Sequence, residues 1–151
     1  MIQKTIELNI GLKNKFSGVL VIIMLLSITS CSQKIPFLTS SVVPSAEGVV
    51  TVKSDDNKNY IIDLSVMRLA DPTRLTPSKV GYIVWMETEN NRVKNIGQLK
   101  TSTGFMSKTL TSSLATVTPF KPIEIFITGE EDVATLHPGL VVLKTGTFSV
   151  K

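Results

Sequence analysis

The chain has 151 residues, one Cys, one His and a formal net charge of +4. That length fits one domain, and a lone Cys excludes an intramolecular disulfide, CxxC redox chemistry and a Cys-based zinc site. Setting aside Lys4, Lys13, Lys15 and Glu7 leaves 13 basic and 11 acidic residues from position 31 onward, with no basic run of five or more, so the electrostatic footprint of a nucleic-acid binder is missing.

Residues 1–30 read as a segment outside the fold. Lys4, Lys13 and Lys15 give a positive start, and residues 19–26 (VLVIIMLL) give an unbroken apolar run. That run is far short of the roughly 20 residues a membrane-spanning helix needs, and the order matches a secretory signal. Ile28, Thr29, Ser30 and Cys31 then resemble a bacterial lipobox: an aliphatic residue, two small residues and a Cys. The resemblance implies a thioether between the Cys31 thiol and diacylglycerol, cleavage before Cys31, and acylation of the new amine. Two or more acyl chains anchor a protein stably, at about 0.8 kcal/mol per buried CH₂. The alternative is a plain secretory signal ending near a Cys, which would leave a stray reactive thiol on a secreted chain. By resemblance to lipoprotein sorting rules, Ser32 after the Cys, rather than Asp, favours the outer membrane. Ser32, Gln33 and Lys34 lack the acidic cluster of surface-exported lipoproteins, so the periplasmic face is expected.

Residues 31–44 read as a lipidated tether, because two prolines and three serines oppose a packed element. Phe37, Leu38, Val42 and Val43 are apolar enough for part of it to lie on the domain as an edge strand. Residues 45–151 read as the folded domain. Two β runs come first, 48–53 and 60–69, joined by a polar, turn-forming stretch at 54–59. In the second run Tyr60, Ile62, Leu64 and Val66 share one face and Asp63 and Ser65 the other, the alternation of a half-buried antiparallel strand. Residues 71–79 contain Pro72 and Pro77 and are expected to cross from one sheet to another.

Residues 80–88 (VGYIVWMET) carry six large apolar side chains and hold the single Trp. Its faces are Tyr82/Val84/Met86 and Ile83/Trp85/Glu87. Ile83 and Trp85 are placed in the core, although the opposite face is equally apolar; if both are covered, the strand is central. The run at 92–101 carries Val93, Ile96 and Leu99, with Gly97 marking a bulge. Residues 105–114 are Thr- and Ser-rich and read as an edge strand with Lys108 exposed. Ile123, Ile125 and Ile127 alternate in a strand at 123–128. Residues 129–132 and 136–139 form a loop, and runs at 140–144 and 147–150 finish the chain. The expected fold class is all-β: an immunoglobulin-like antiparallel β-sandwich of about seven strands.

Four segments resemble the C-terminal extracytoplasmic domain of anti-sigma-K factors: 82–87 (YIVWME), 95–99 (NIGQL), 119–130 (PFKPIEIFITGE) and 138–146 (PGLVVLKTG). They span about half the chain. The family's sigma-binding helices and membrane-spanning helix have no counterpart in this sequence. The resemblance therefore implies the fold and a sensing or partner-binding role in the envelope, not sigma sequestration.

No catalytic residue, metal ligand or cofactor is assigned. His137 has no second His or free Cys to work with and is read as an exposed loop residue. Glu130, Glu131 and Asp132, with Glu87 or Glu89, have the oxygen chemistry of a calcium site but not the EF-hand spacing. Asp55, Asp56 and Asn57 are read as a solvated hairpin loop. Trp85 and Tyr82 either line a ligand surface or fill a core, and the core is favoured. Nucleophile elbows and phosphate loops are missing from the sequence. The expected function is a lipid-anchored, non-enzymatic binding or structural module in the cell envelope, held by the membrane and open to an envelope protein partner. The alternative is a regulatory or sensing partner akin to anti-sigma extracytoplasmic domains.

Overall fold

The computed structural model describes residues 32–103 and 110–150, so Ile28, Thr29, Ser30, Cys31, Phe105 and Lys108 lie outside the described residues. Nine strands are present among them: β1 (Gln33–Pro36), β2 (Glu47–Ser54), β3 (Tyr60–Met67), β4 (Gly81–Thr88), β5 (Val93–Gln98), β6 (Lys100–Thr103), β7 (Leu110–Thr118), β8 (Pro122–Glu130) and β9 (Leu140–Lys144). One sheet runs β1-β2-β3-β7-β6 and the other β5-β4-β8-β9, with every strand pair antiparallel. With β2 as strand A, these are the A-B-E-D and C′-C-F-G orders of an immunoglobulin-like sandwich, with β1 added outside strand A. The fold class read from the sequence is therefore the one observed.

Period-2 patterning builds the core. Val50, Val52, Ile62, Leu64 and Val66 face inward from the first sheet. Tyr82, Val84, Met86, Ile125, Ile127 and Leu143 meet them from the second. Residues 68–80 cross between the sheets as expected, through a short 3-10 turn at Pro72–Arg74. The carboxylate of Asp71 caps that turn by accepting the amide of Thr73 at 2.9 Å.

Five expectations change. Ile83 and Trp85 are buried as expected but do not face the other sheet: Tyr82, Val84 and Met86 do, while Ile83, Trp85 and Phe126 form a second buried cluster on the outer face. A strand apolar on both faces gives alternation nothing to choose between, and a one-residue shift exchanges the faces. The run at 92–101 is not one strand but two in different sheets. Leu99, buried, makes the crossing, and its amide donates to the Tyr82 carbonyl at 3.0 Å. The bulge is real: Val84 pairs with Gly97 and Trp85 with Asn95, leaving Ile96 as the extra residue. Gly97 has φ +141, a backbone shape that suits Gly alone, and a Cβ there would meet Leu114 Cδ1 at 2.9 Å. The Thr- and Ser-rich strand is β7, which is interior, paired with β3 on one side and β6 on the other. Its hydroxyl-rich composition imitates an edge, yet Ser112 and Thr118 are buried. Residues 147–150 form no strand, although the Phe148 amide donates to the Ile123 carbonyl at 2.8 Å.

The fifth change concerns the tether. Residues 33–43 are packed rather than free, and the edge strand allowed for in this segment is present as β1. Gln33–Pro36 pairs with β2, from Gln33↔Val52 to Pro36↔Val49. The chain then moves to the other sheet, where Phe37 bridges Thr145 and the Leu38 amide donates to the Lys144 carbonyl at 2.8 Å. The buried Ser40 hydroxyl donates to the Val142 carbonyl and accepts the Val43 amide at 2.8 Å. Prolines and serines here serve an edge and a turn, not a linker.

Tyr82 supplies a test of the inward face. Its hydroxyl donates to the Ala70 carbonyl at 2.9 Å. Burial, with a smaller contribution from the Asp71 charge, pushes its pKa up to about 12. An unfolded Tyr ionises near pH ~10, so the folded state holds a proton that the unfolded chain releases first. Stability is then retained below about pH 10 and falls as pH rises toward the folded value. Phenolate absorbance should show a step near pH ~12 that Tyr82→Phe removes, and urea midpoints above pH ~10 should decline less steeply in that variant.

Candidate functional site

The outer face of the four-stranded sheet carries the most built surface. On β8, Glu124, Phe126, Thr128 and Glu130 alternate with the inward isoleucines, which places them beside Ile83 and Trp85 of β4. Residues 131–139 fold back on this face and set Val133 against Ile83, Trp85 and Phe126.

A chain of hydrogen bonds fixes that cover. The Trp85 indole N–H donates to Thr128 Oγ1 at 2.7 Å. The Thr128 hydroxyl donates to Glu130 Oε1. The same oxygen accepts the Gly139 amide at 2.7 Å. Thr128 and Glu130 are buried, and their side-chain partners are one another, Trp85 and the Gly139 amide. Gly139 is required by close approach, since a Cβ there would lie 2.6 Å from Glu130 Oε2. The first part of the loop is held from residues 79 and 80: Lys79 Nζ meets Glu131 Oε1 at 2.9 Å, and the Val80 amide donates to the Glu130 carbonyl at 2.7 Å.

Beside this covered half, the same face opens into a groove of about 440 Å³. Phe126, 8% exposed, is shared between the Trp85 cluster and the groove. Leu38 and Val141, 50% and 43% exposed, supply apolar walls, and Thr39, Ser41, Glu124 and Lys144 supply polar groups. An apolar concavity with a few polar groups, beside a fixed network, has the make-up of a candidate binding site.

The acidic run does not converge. Glu130 is in β8 and faces Thr128, Glu131 pairs with Lys79, and Asp132 Oδ1 accepts the Ala134 amide at 2.9 Å. Among the described residues, no three His, Cys, Asp or Glu side chains gather to hold a metal ion. Asp55 closes the β2–β3 loop instead, accepting the Asn59 amide at 2.8 Å and the Asn57 amide at 2.9 Å. Those bonds, the Asn59 amide foremost, hold its carboxyl below the usual range. His137 is exposed. Trp85 is buried as expected, but under a loop rather than between the sheets. Phe126 and Val141 were not singled out by sequence, and Leu38 was named only for an edge strand. The available signal was the second period of β8, where Phe126 sits between polar residues on the face opposite the isoleucines.

The chain matches no protein-family model, no curated protein and no solved structure.

Thr128→Val leaves the Trp85 N–H buried without its acceptor, at a cost of about 1–3 kcal/mol. A urea titration should show that loss. Emission from Trp85, the single Trp of the chain, should shift to the red as residues 131–139 loosen. Gly139→Ala should act in the same direction by displacing the Glu130 carboxylate.

Proposed function

We propose that the protein is a lipid-anchored, non-enzymatic binding module of the cell envelope, facing the periplasm from the outer membrane. The observation that carries this is the run Ile28, Thr29, Ser30, Cys31, with β1 beginning at Gln33. The expected cleavage point falls directly before the folded domain, where a processed and acylated N-terminus has a use. The groove over Phe126 supports a binding role, and the neighbouring buried hydroxyl and carboxylate hold residues 131–139 rather than facing it.

A regulatory or sensing role is the second reading, and one observation favours it. The four segments that resemble anti-sigma-K extracytoplasmic domains fall on β4, β5, β8 and β9, so the resemblance covers one sheet and includes Phe126 and Val141 of the groove. A photo-crosslinking residue at Leu38 separates the two readings in intact cells. A regulatory membrane protein as the dominant adduct favours the second, and a structural envelope component favours the first.

The anchor has its own test. Mass spectrometry of the mature protein should find an N-terminal Cys31 carrying diacylglycerol, and Cys31→Ala should abolish incorporation of labelled palmitate. An unmodified Cys31 in the mature form would remove the anchor.

A further inference from the structure

The packing of residues 33–43 changes what the anchor does to the domain. Gln33 registers with Val52, so β1 starts at the end of the sandwich that carries the 54–59 loop. The 89–92 turn and the 119–121 loop share that end, because β4 and β7 both run toward it and β5 and β8 both leave from it. Cys31 precedes Gln33 by two residues, at most about 7 Å of extended chain. A lipid on Cys31 therefore leaves this end no room to stand off.

The surface there suits the place. Phe120 is 44% exposed, and Lys94 Nζ sits 4.0 Å from its ring centroid. Lys121 is paired with Glu89 at 2.7 Å, and the Asp55 carboxylate is turned onto its own loop. Among the described residues Lys53, Lys58, Arg92 and Lys94 form no ion pair, against Asp56 in the loop and Glu87 and Glu124 just inside the strands at this end. An exposed aromatic ring among cations that form no ion pair is the composition that meets acyl chains and phosphates at a lipid interface.

We propose that this end of the sandwich, with Phe120, Arg92 and Lys94 at its centre, rests on the anionic headgroups of the membrane that holds Cys31. The proposal rests on the anchored reading above. It makes the domain a body of fixed orientation, with the 131–139 loop leaving β8 at the opposite end.

The test uses the lipidated protein purified from membranes and reconstituted on phosphatidylethanolamine vesicles with and without phosphatidylglycerol. With Cys31 blocked as a thioether, a single introduced thiol takes a fluorophore, in Asn90→Cys at the proposed contact and in Leu136→Cys at the loop beyond β8. A headgroup-bound quencher should quench the Asn90 probe at least threefold more than the Leu136 probe. The difference should need phosphatidylglycerol and should shrink in Arg92→Glu with Lys94→Glu, with Trp85 emission unchanged as the check on folding. Equal quenching at both positions in protein retained on the vesicles overturns the orientation and leaves the anchor standing. Unequal quenching that ignores phosphatidylglycerol overturns the assignment to anionic lipid. Failure of the protein to stay on the vesicles overturns the anchor and this proposal together.

Discussion

β4 is apolar on both faces, and such a strand has to be covered twice. The inner cover is the five-stranded sheet, which any sandwich provides. The outer cover is made from residues 131–139, and a loop lying on a sheet brings backbone amides and carbonyls with it. Those groups need partners once water is excluded. Thr128 and Glu130 supply them from within β8, and Trp85 extends the chain of donors into β4. The single Trp is thus the joint between the covering loop and the sheet. In antibody domains the Trp of the corresponding strand faces inward against a disulfide. This chain has no disulfide to protect and uses its Trp on the other side.

The same attention to unpaired backbone is visible at the sheet margins. A sheet edge is a template for unwanted pairing. β9 is closed by the segment running from Phe37 to Ser40, partly through backbone and partly through the Ser40 hydroxyl. β5 is interrupted by its bulge, where the Asn95 side chain takes the Gly97 amide at 2.9 Å. β1 is four residues long and ends in Pro36. These three margins therefore offer little to strand addition.

Much of the architecture was legible because alternation is a local property. The inward sets of β3 and β8 were visible as Ile62, Leu64 and Val66 and as Ile125 and Ile127, since in each case the other face was more polar. Where both faces were apolar, as in β4, the pattern fixed a strand but not its orientation. Sheet membership was harder still. Residues 92–101 look continuous, and only the packing of Leu99 shows that the chain changes layer there. Proline and serine between 31 and 44 read as linker because their roles, ending β1 and joining Val142 to Val43 through Ser40, depend on partners far along the chain. Glu130 was read as part of an acidic loop for the same reason. Its burial follows from Thr128 below it and Gly139 above it, and neither is a signal in isolation.

The antiparallel ladder between β1 and β2 also has a mechanical side. Its hydrogen bonds lie across the strand direction. If tension enters at the N-terminal end of β1 and leaves through something gripped in the groove, it pulls along the strand. Four residue pairs would then bear the load together in shear, and the link through Ser40 to the second sheet would come under strain only after they slipped. Such a domain would hold under a steady tug and let go abruptly.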